Sequence, residues 1–253
     1  MNEFKMKNLS GKFFKFFPNK LRRWRNKFIK QALYSRCIEI SKHSGLEIRC
    51  IYDIGANKGD WTREAKVHFP DANFILIEGN PIHKRDLEKT GYTYFIQALS
   101  DGKGTREFYS IGKTGDSFYK ELTAHYTNIK PLEIDVESLD NLCDAKKLQS
   151  PDFIKIDVQG AELDVLKGGH LVCQSAIFVY MECPIIKYNL GAPTLTDYVK
   201  FMEDIGFFPS EIGELHYSEK GFVLLQVDIL FVNKKLIAKH LFSELNLEFF
   251  LGN

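Results

Sequence analysis

The sequence predicts an α/β domain, a mostly parallel sheet covered by helices on both faces. From residue 48 onward, short runs rich in β-branched and aromatic residues alternate with helical stretches, the rhythm of right-handed βαβ units. The first of these runs feeds straight into a glycine-bearing turn and then a helix, as a doubly wound sheet requires at its ligand crevice. The chain has 253 residues, 44% of them hydrophobic, enough for one ordinary core without metals or disulfides.

Taken in order, Ile48 to Ile54 reads as a strand, Lys58 to Val67 as a helix, Phe74 to Glu78 as a strand, Ile82 to Lys89 as a helix and Tyr92 to Ala98 as a strand. The stretch from Asp101 to Leu148 is less regular, with strands expected around Glu107 to Ser110 and at Ile134 to Val136. Alternation then resumes. Phe153 to Ile156 is a strand, Ala161 to Lys167 a helix ended by Gly168 and Gly169, Ala176 to Glu182 a strand, and Leu195 to Ile205 a helix ended by Gly206. Leu224 to Val232 is a late strand, pairing antiparallel through a hairpin with Glu211 to Tyr217.

Charge divides the chain. The whole carries 34 Lys+Arg against 33 Asp+Glu, which argues against a polyanion binder. Residues 1–38 hold eleven bases and one acid, Glu3, so the remainder holds 23 bases and 32 acids, a net of −9. The organisation expected is therefore a basic aromatic arm over residues 1–47, a domain over 48–233 and an amphipathic terminal helix over 234–253. In the arm, Pro18 and Asn19 should break the run and cap a helix in which Leu21, Trp24, Phe28 and Ala32 form one stripe. Residues 12–33 could lie on an anionic membrane, contact nucleic acid, or cover one side of the domain with the charges in water. The bland reading puts the stripe inward. The terminal stretch Leu236 to Leu251 could pack on the domain or form a homodimer contact.

The five cysteines never take the two-residue spacing of a zinc knuckle or dithiol site, and they read as free thiols of a reducing cytoplasm. No apolar run reaches the ~20 residues that cross a bilayer, and Lys12 and Lys15 interrupt the apolar residues a cleavable signal would need. A soluble cytoplasmic protein, or one held peripherally at the inner membrane surface, is the expectation.

The chemistry gathers at strand ends. Asp53-Ile54-Gly55-Ala56-Asn57-Lys58-Gly59 closes the first strand, and Glu78 closes the second, nineteen residues after Gly59, placed to accept hydrogen bonds from ribose hydroxyls. A dinucleotide needs a pyrophosphate cradle, G-x-G-x-x-G, and residues 55–60 lack the middle glycine. An Asp followed by Gly-x-x-x-Gly suits instead a nucleoside without phosphate, whose amino-acid tail brings an ammonium and a carboxylate to the turn. S-adenosylmethionine answers that description. A third cluster, Lys155-Ile156-Asp157-Val158-Gln159-Gly160-Ala161-Glu162, ends the next central strand and should face the same crevice.

Together with Ala98-Leu99-Ser100-Asp101, Val136-Glu137-Ser138-Leu139-Asp140 and Pro151-Asp152-Phe153-Ile154-Lys155-Ile156-Asp157-Val158-Gln159-Gly160-Ala161-Glu162-Leu163-Asp164-Val165-Leu166-Lys167-Gly168, these motifs resemble the FkbM family of S-adenosylmethionine-dependent methyltransferases. The resemblance covers roughly residues 48–233, with four motifs in order. It implies a class I methyltransferase Rossmann-like fold, seven strands with the last antiparallel, and O-methylation of a hydroxyl on a sugar, glycolipid or polyketide. By that resemblance Asp53, Gly55, Asn57 and Gly59 would hold the methionine end of S-adenosylmethionine, Glu78 the ribose, and Ala98, Leu99 and Ser100 the adenine edge, with Asp157 near the sulfonium methyl. Two positions depart from the family: Gly79 stands where proline is usual, and Gln159 where glutamate is usual, and an amide cannot accept a proton.

Transfer to an alcohol is an in-line displacement, so alignment and removal of the hydroxyl proton are both needed. Asp157 is the leading base, with Lys155 pairing with it or orienting it, and Glu162, Glu182 and His83 are alternatives. Glu162 could equally favour its helix dipole, and Glu182 could be an ordinary strand-end acid. No clear metal-ligand set stands out. The partner expected is a small-molecule or lipid-linked glycan acceptor, walled by the segment from Ile111 to Lys130 with Asp116, Ser117, Tyr119, His125 and Tyr126. Two rival readings exist. Tyr126-Thr127-Asn128-Ile129-Lys130 has the Tyr-x-x-x-Lys spacing of an NAD-dependent short-chain dehydrogenase, though Pro131 discourages a continuing helix. The other is a non-catalytic membrane or nucleic-acid docking module on the same fold.

Overall fold

The computed structural model describes residues 6–110, 115–122, 129–187, 189–218 and 223–241, with side chains described from residue 21 to residue 237 of these. The strands are β1 Cys50–Ile54, β2 Asn73–Glu78, β3 Thr93–Ile96, β4 Ala98–Ser100, β5 Gly104–Phe108, β6 Leu132–Ser138, β7 Phe153–Ile156, β8 Phe178–Pro184, β9 Phe207–Tyr217 and β10 Leu224–Asn233. The helices are α1 Met6–His43, α2 Asp60–His68, α3 Lys84–Glu88, α4 Leu139–Lys146, α5 Glu162–Gly168, α6 His170–Ser175, α7 Leu195–Asp204 and α8 Lys234–Leu241.

Seven strands form the main sheet in the order β3-β2-β1-β7-β8-β10-β9. The five from β3 to β8 are parallel, and β10 runs antiparallel to both its neighbours. Central strands of such a sheet are covered on both faces and read as nearly continuous apolar runs. Every residue of Cys50–Ile54 and of Phe153–Ile156 is buried, Asp53 and Lys155 included. One face is packed by Tyr198, Met202, Leu142 and Leu166 from α4, α5 and α7. The other is packed by Tyr34, Ala65 and Ile237 from α1, α2 and α8. The strand order reverses between β1 and β7, so the crevice lies beyond the carboxyl ends of those two strands.

Several elements differ from the sequence expectation. The run from Tyr92 to Ala98 is two strands, because the chain leaves the main sheet at Gln97, whose N–H donates to the Glu78 carbonyl at 2.8 Å. Beyond it, β4, β6 and β5 make a second, three-stranded sheet. Helices α4 and α6 were not anticipated; α4 starts at Ser138, whose hydroxyl caps it by accepting the Asn141 N–H at 3.2 Å.

The arm departs most. α1 is one helix of 38 residues that runs through Pro18 and Asn19 without stopping. Proline removes only its own N–H and crowds one carbonyl of the preceding turn, so the ladder on either side can persist. The aromatic stripe faces outward: Leu21, Trp24 and Phe28 are 56, 66 and 61% exposed. The polar side holds the domain instead. Arg22 and Arg25 lie over the Tyr217 ring at 5.2 and 5.4 Å, Asn26 Nδ2 donates to the Leu215 carbonyl at 3.0 Å, and Lys30 pairs with Glu64 and Glu214. From Leu33 onward the helix turns apolar residues inward, and Leu33, Tyr34, Cys37 and Ile40 are buried in the core. Among the described residues, no helix is long and apolar enough to cross a membrane. All five cysteines are buried and free.

Candidate functional site

The turn after β1 makes the floor of the cleft. Gly55 has φ +74°, and a Cβ built on it would stand 1.8 Å from the Asp157 carbonyl oxygen, so β1 and β7 meet here in a way no side chain permits. The Asp157 N–H donates to the Ile54 carbonyl at 3.0 Å and locks the two strand ends together. A cavity of about 300 Å³ opens above this seam, lined by Gly55, Asn57, Glu78, Ala98, Leu99, Lys155, Asp157 and Gln159 among others.

Glu78 sits at the rim of β2, 9% exposed. One carboxylate oxygen accepts the Asn57 N–H and the other the Asn80 N–H, both at 2.7 Å. Burial pushes its carboxyl up from the usual range, and those two N–H groups oppose the shift. It is an acceptor fixed by backbone on both sides, the arrangement that two adjacent hydroxyls require. Beside it, His83 Nδ1 is buried and has no hydrogen-bond partner among the described residues. The far wall is the flat slot of Ala98, Leu99, Phe108 and Phe118, where Phe108 and Phe118 rings meet at 5.8 Å. Gly79 packs against Ala98, which an added Cβ would approach at 3.3 Å.

Beneath the floor lies a buried charge pair. Asp53 and Lys155 are direct neighbours in the β1–β7 register. Lys155 Nζ stands 3.1 Å from Asp53 Oδ1 and 3.5 Å from Asp157 Oδ2, and it donates to the Gly55 carbonyl at 3.1 Å. Burial pulls the Lys155 ammonium down, but the carboxylates of Asp53 and Asp157 outweigh that and hold it above the ordinary lysine value. Asp53 is fully buried and accepts from Thr62 Oγ1 at 2.6 Å.

The structure therefore brings Gly55, Asn57, Glu78, Ala98, Leu99, Lys155 and Asp157 to one cavity and leaves five of the expected residues off its wall. Asp53 reaches the cleft only through Lys155. Gly59, at φ +77°, caps α2 below the turn. Ser100 is spent on Arg106, whose Nη1 donates to its hydroxyl at 2.8 Å. Glu162 is 1% exposed and accepts N–H bonds from Val158 at 3.0 Å and from Gly160 at 3.0 and 3.1 Å, besides the Tyr198 hydroxyl. That carboxylate holds the left-handed turn at Gln159 and Gly160 and does not line the cavity.

Glu182 lines a neighbouring cavity rather than the cleft. Gln159 joins the two: its Nε2 donates to Asp157 Oδ1 at 2.8 Å and to Glu182 Oε2 at 3.0 Å. An amide can bridge two carboxylates where a third carboxylate would repel both. Burial, then the carboxylates of Asp157, Asp228 and Glu162, push the Glu182 carboxyl well above the usual range.

The segment expected to form the acceptor wall divides. Asp116, Ser117 and Phe118 line the cleft, and Ser117 Oγ donates to the Gln159 carbonyl at 2.6 Å. Tyr119 turns away, donating to Asp164 at 2.9 Å. His125 and Tyr126 lie outside the described residues. Phe108, Gln97 and Trp61 also line the cleft, and His216 and Asp228 line the neighbouring cavity with Glu182; sequence reasoning missed all five. No local spacing marks them, because the sheet assembles them from distant elements.

The sequence pattern of the methyltransferase FkbM domain matches residues 53–209, from the end of β1 to the start of β9. Over 150 residues the chain is 30% identical to the 2-O-methyltransferase NoeI of Sinorhizobium fredii, a match covering 52% of this chain and 62% of that protein. The matched segment thus spans less than two thirds of that relative. Among solved structures, the precorrin-6y C5,15-methyltransferase from Geobacter metallireducens is similar at 14% identity and a TM-score of 0.41, over 78% of this chain and 86% of that one. TrmK of M. capricolum, in complex with S-adenosyl-homocysteine, is similar at 11% identity and a TM-score of 0.42, over 77% of this chain and 67% of that one.

Proposed function

This chain belongs to the FkbM methyltransferase family, and from that membership we propose that it transfers the methyl group of S-adenosylmethionine to a hydroxyl of a sugar, a glycolipid or a related natural product. The observation that carries the reading is the Gly55 seam with Glu78 beside it, a floor stripped of side chains next to a fixed pair of acceptor oxygens. The dehydrogenase and the non-catalytic docking module give way to the family membership. Bound in this cleft, S-adenosylmethionine supplies an electrophilic methyl group. The chain's residues supply the rest. Asn57 and the side-chain-free turn at Gly55 would hold the amino-acid end, and Glu78 would accept from the ribose. Ala98, Leu99, Phe108 and Phe118 enclose the adenine. Asp157 takes the acceptor's proton, with Lys155 and Gln159 fixing its two oxygens. The 2-O-methyltransferase name of the relative in Sinorhizobium fredii supports oxygen as the acceptor atom.

Calorimetric titration tests the cofactor assignment. S-adenosylmethionine and S-adenosylhomocysteine should bind and NAD should not, and Glu78→Ala should weaken both by about 10–150-fold, the worth of a charge-assisted hydrogen bond. NAD binding alone, or undiminished affinity in the variant, overturns it. For the base, Asp157→Asn should leave cofactor affinity near normal and lower kcat by ~10²–10⁴-fold. Near-normal turnover at saturating substrate would remove Asp157 from that role.

The outward stripe on α1 supports a second element of the reading, that the acceptor is lipid-linked and met at a membrane. Arg23 and Lys27 are exposed beside Leu21, Trp24 and Phe28, so apolar and cationic groups face one way. Each such base near an anionic surface is worth about 1 kcal/mol, and the aromatics suit the interface. Sedimentation with phosphatidylglycerol vesicles should therefore recover the protein at low salt, with binding lost in Trp24→Ser/Phe28→Ser. Equal recovery of the double variant would sink the idea.

A further inference from the structure

Beside the cofactor cleft, across a wall shared through Trp61, Lys155 and Asp157, lies a second cavity of about 280 Å³. Six carboxylates, two lysines and one histidine line it. Both lysines are committed, Lys30 to Glu64 and Glu214, Lys155 to Asp53 and Asp157. Asp60 pairs with Arg63. That leaves Glu182 and Asp228, paired directly across β8 and β10, with His216 of β9 against both.

These three converge. One ligand atom from each lies within 4.8 Å of the others. His216 Nε2 is 3.0 Å from Asp228 Oδ1 and 3.7 Å from Glu182 Oε1. Each carboxylate is also aimed from behind through its other oxygen. The Tyr180 hydroxyl donates to Asp228 Oδ2 at 2.6 Å, and Gln159 Nε2 donates to Glu182 Oε2. Outer partners on the far oxygen, with the near oxygens turned toward an imidazole nitrogen, are how proteins orient metal ligands.

We propose that Glu182, His216 and Asp228 form a divalent transition-metal site whose open positions face this cavity and receive the acceptor's hydroxyl oxygen. One imidazole nitrogen and two carboxylate oxygens suit Mn²⁺, Fe²⁺, Co²⁺ or Zn²⁺ better than Mg²⁺ or Ca²⁺, which favour all-oxygen shells. Three protein ligands with positions left open is the catalytic pattern rather than the structural one. Coordination would lower the pKa of the hydroxyl, whose proton passes to Asp157, on the same Gln159 amide as Glu182. The acceptor's part in this rests on the methyltransferase reading, whereas ion binding does not.

The test is direct. The full chain, stripped with EDTA and dialysed, is titrated with Mn²⁺ by electron paramagnetic resonance and with Co²⁺ by visible absorption. One ion per chain is expected. His216→Gln should lose more than about 10-fold in affinity, the lower bound seen even for outer-sphere partners, and Tyr180→Phe about 10–100-fold. His170→Gln, an exposed histidine elsewhere, should match wild type. Absence of binding in the wild type, or equal binding in His216→Gln with its melting temperature unchanged, overturns the site and leaves His216 as a counter-ion to two acids. S-adenosylmethionine titrations with and without EDTA separate the two ideas. Cofactor binding without ion binding defeats this site alone, and ion binding without cofactor binding defeats the function instead.

Discussion

Lys155→Met is expected to cost roughly 3–5 kcal/mol of stability, a fall of about 6–20 °C in melting temperature. The substitution keeps the volume and removes the charge. Asp53 is fully buried, and Lys155 itself is 6% exposed, so solvent cannot replace the lost ammonium. Asp53 would keep only the Thr62 hydroxyl as a partner among the described residues, and Asp157 would lose its ion pair with Lys155. The carboxylate must then stay ionised without a counter-charge or take up a proton, and either course costs the folded state. Adding Asp53→Asn should restore part of the loss, because it deletes the stranded charge. Differential scanning calorimetry of the three proteins reads this out. A single-variant melting temperature within 2 °C of wild type, roughly 1 kcal/mol at this size, would show that the pair does not hold the two strands.

Gly55→Ala is expected to abolish measurable binding of S-adenosylmethionine. Its new methyl group would meet the Asp157 carbonyl oxygen at 1.8 Å and the carbonyl carbon at 2.7 Å, backbone atoms that cannot rotate away. The left-handed backbone adds about 1–2 kcal/mol for any residue with a Cβ. Relief requires β1 and β7 to part at their ends, which moves Asn57, Lys155 and Asp157 together. Gly102→Ala is the control, since a Cβ there meets nothing within 4 Å. Calorimetry should find wild-type affinity in the control and no heat in Gly55→Ala. Binding within tenfold of wild type would mean that the cofactor does not lie on this floor.

What the sequence made legible follows from distance along the chain. The strand-end motifs at residues 53–59 and 155–162 are local, and a parallel sheet with its reversal at β1 brings them together without further information. Glu78 was readable because the second strand ends there. The sequence left Glu162 open between a base and a helix-start acid because its partners depend on a backbone detail, the left-handed turn at Gln159 and Gly160, that residue types only hint at. His216 and Asp228 escaped notice because β9 and β10 bring them to Glu182 from 34 and 46 residues away by antiparallel pairing, with no spacing rule to announce it. Along α1, periodicity located the stripe of Leu21, Trp24 and Phe28, but a period gives no direction. Tyr217, Glu214 and Glu64 attract the basic side inward, and the stripe is left outside.

The course of α1 also decides where this protein can be divided. Its exposed stripe and its buried stripe belong to one rod, and the change from one to the other falls between Phe28 and Leu33, in the middle of a regular helix. Tyr34 meets the rings of Trp61, His68 and Phe69, so a cut at residue 38 would take out a piece of the core along with the surface feature. The helix is therefore no detachable tag. Its outer properties have to be dissected by single substitutions, and a graft of the catalytic unit onto another scaffold would have to carry the inner turns of α1 with it.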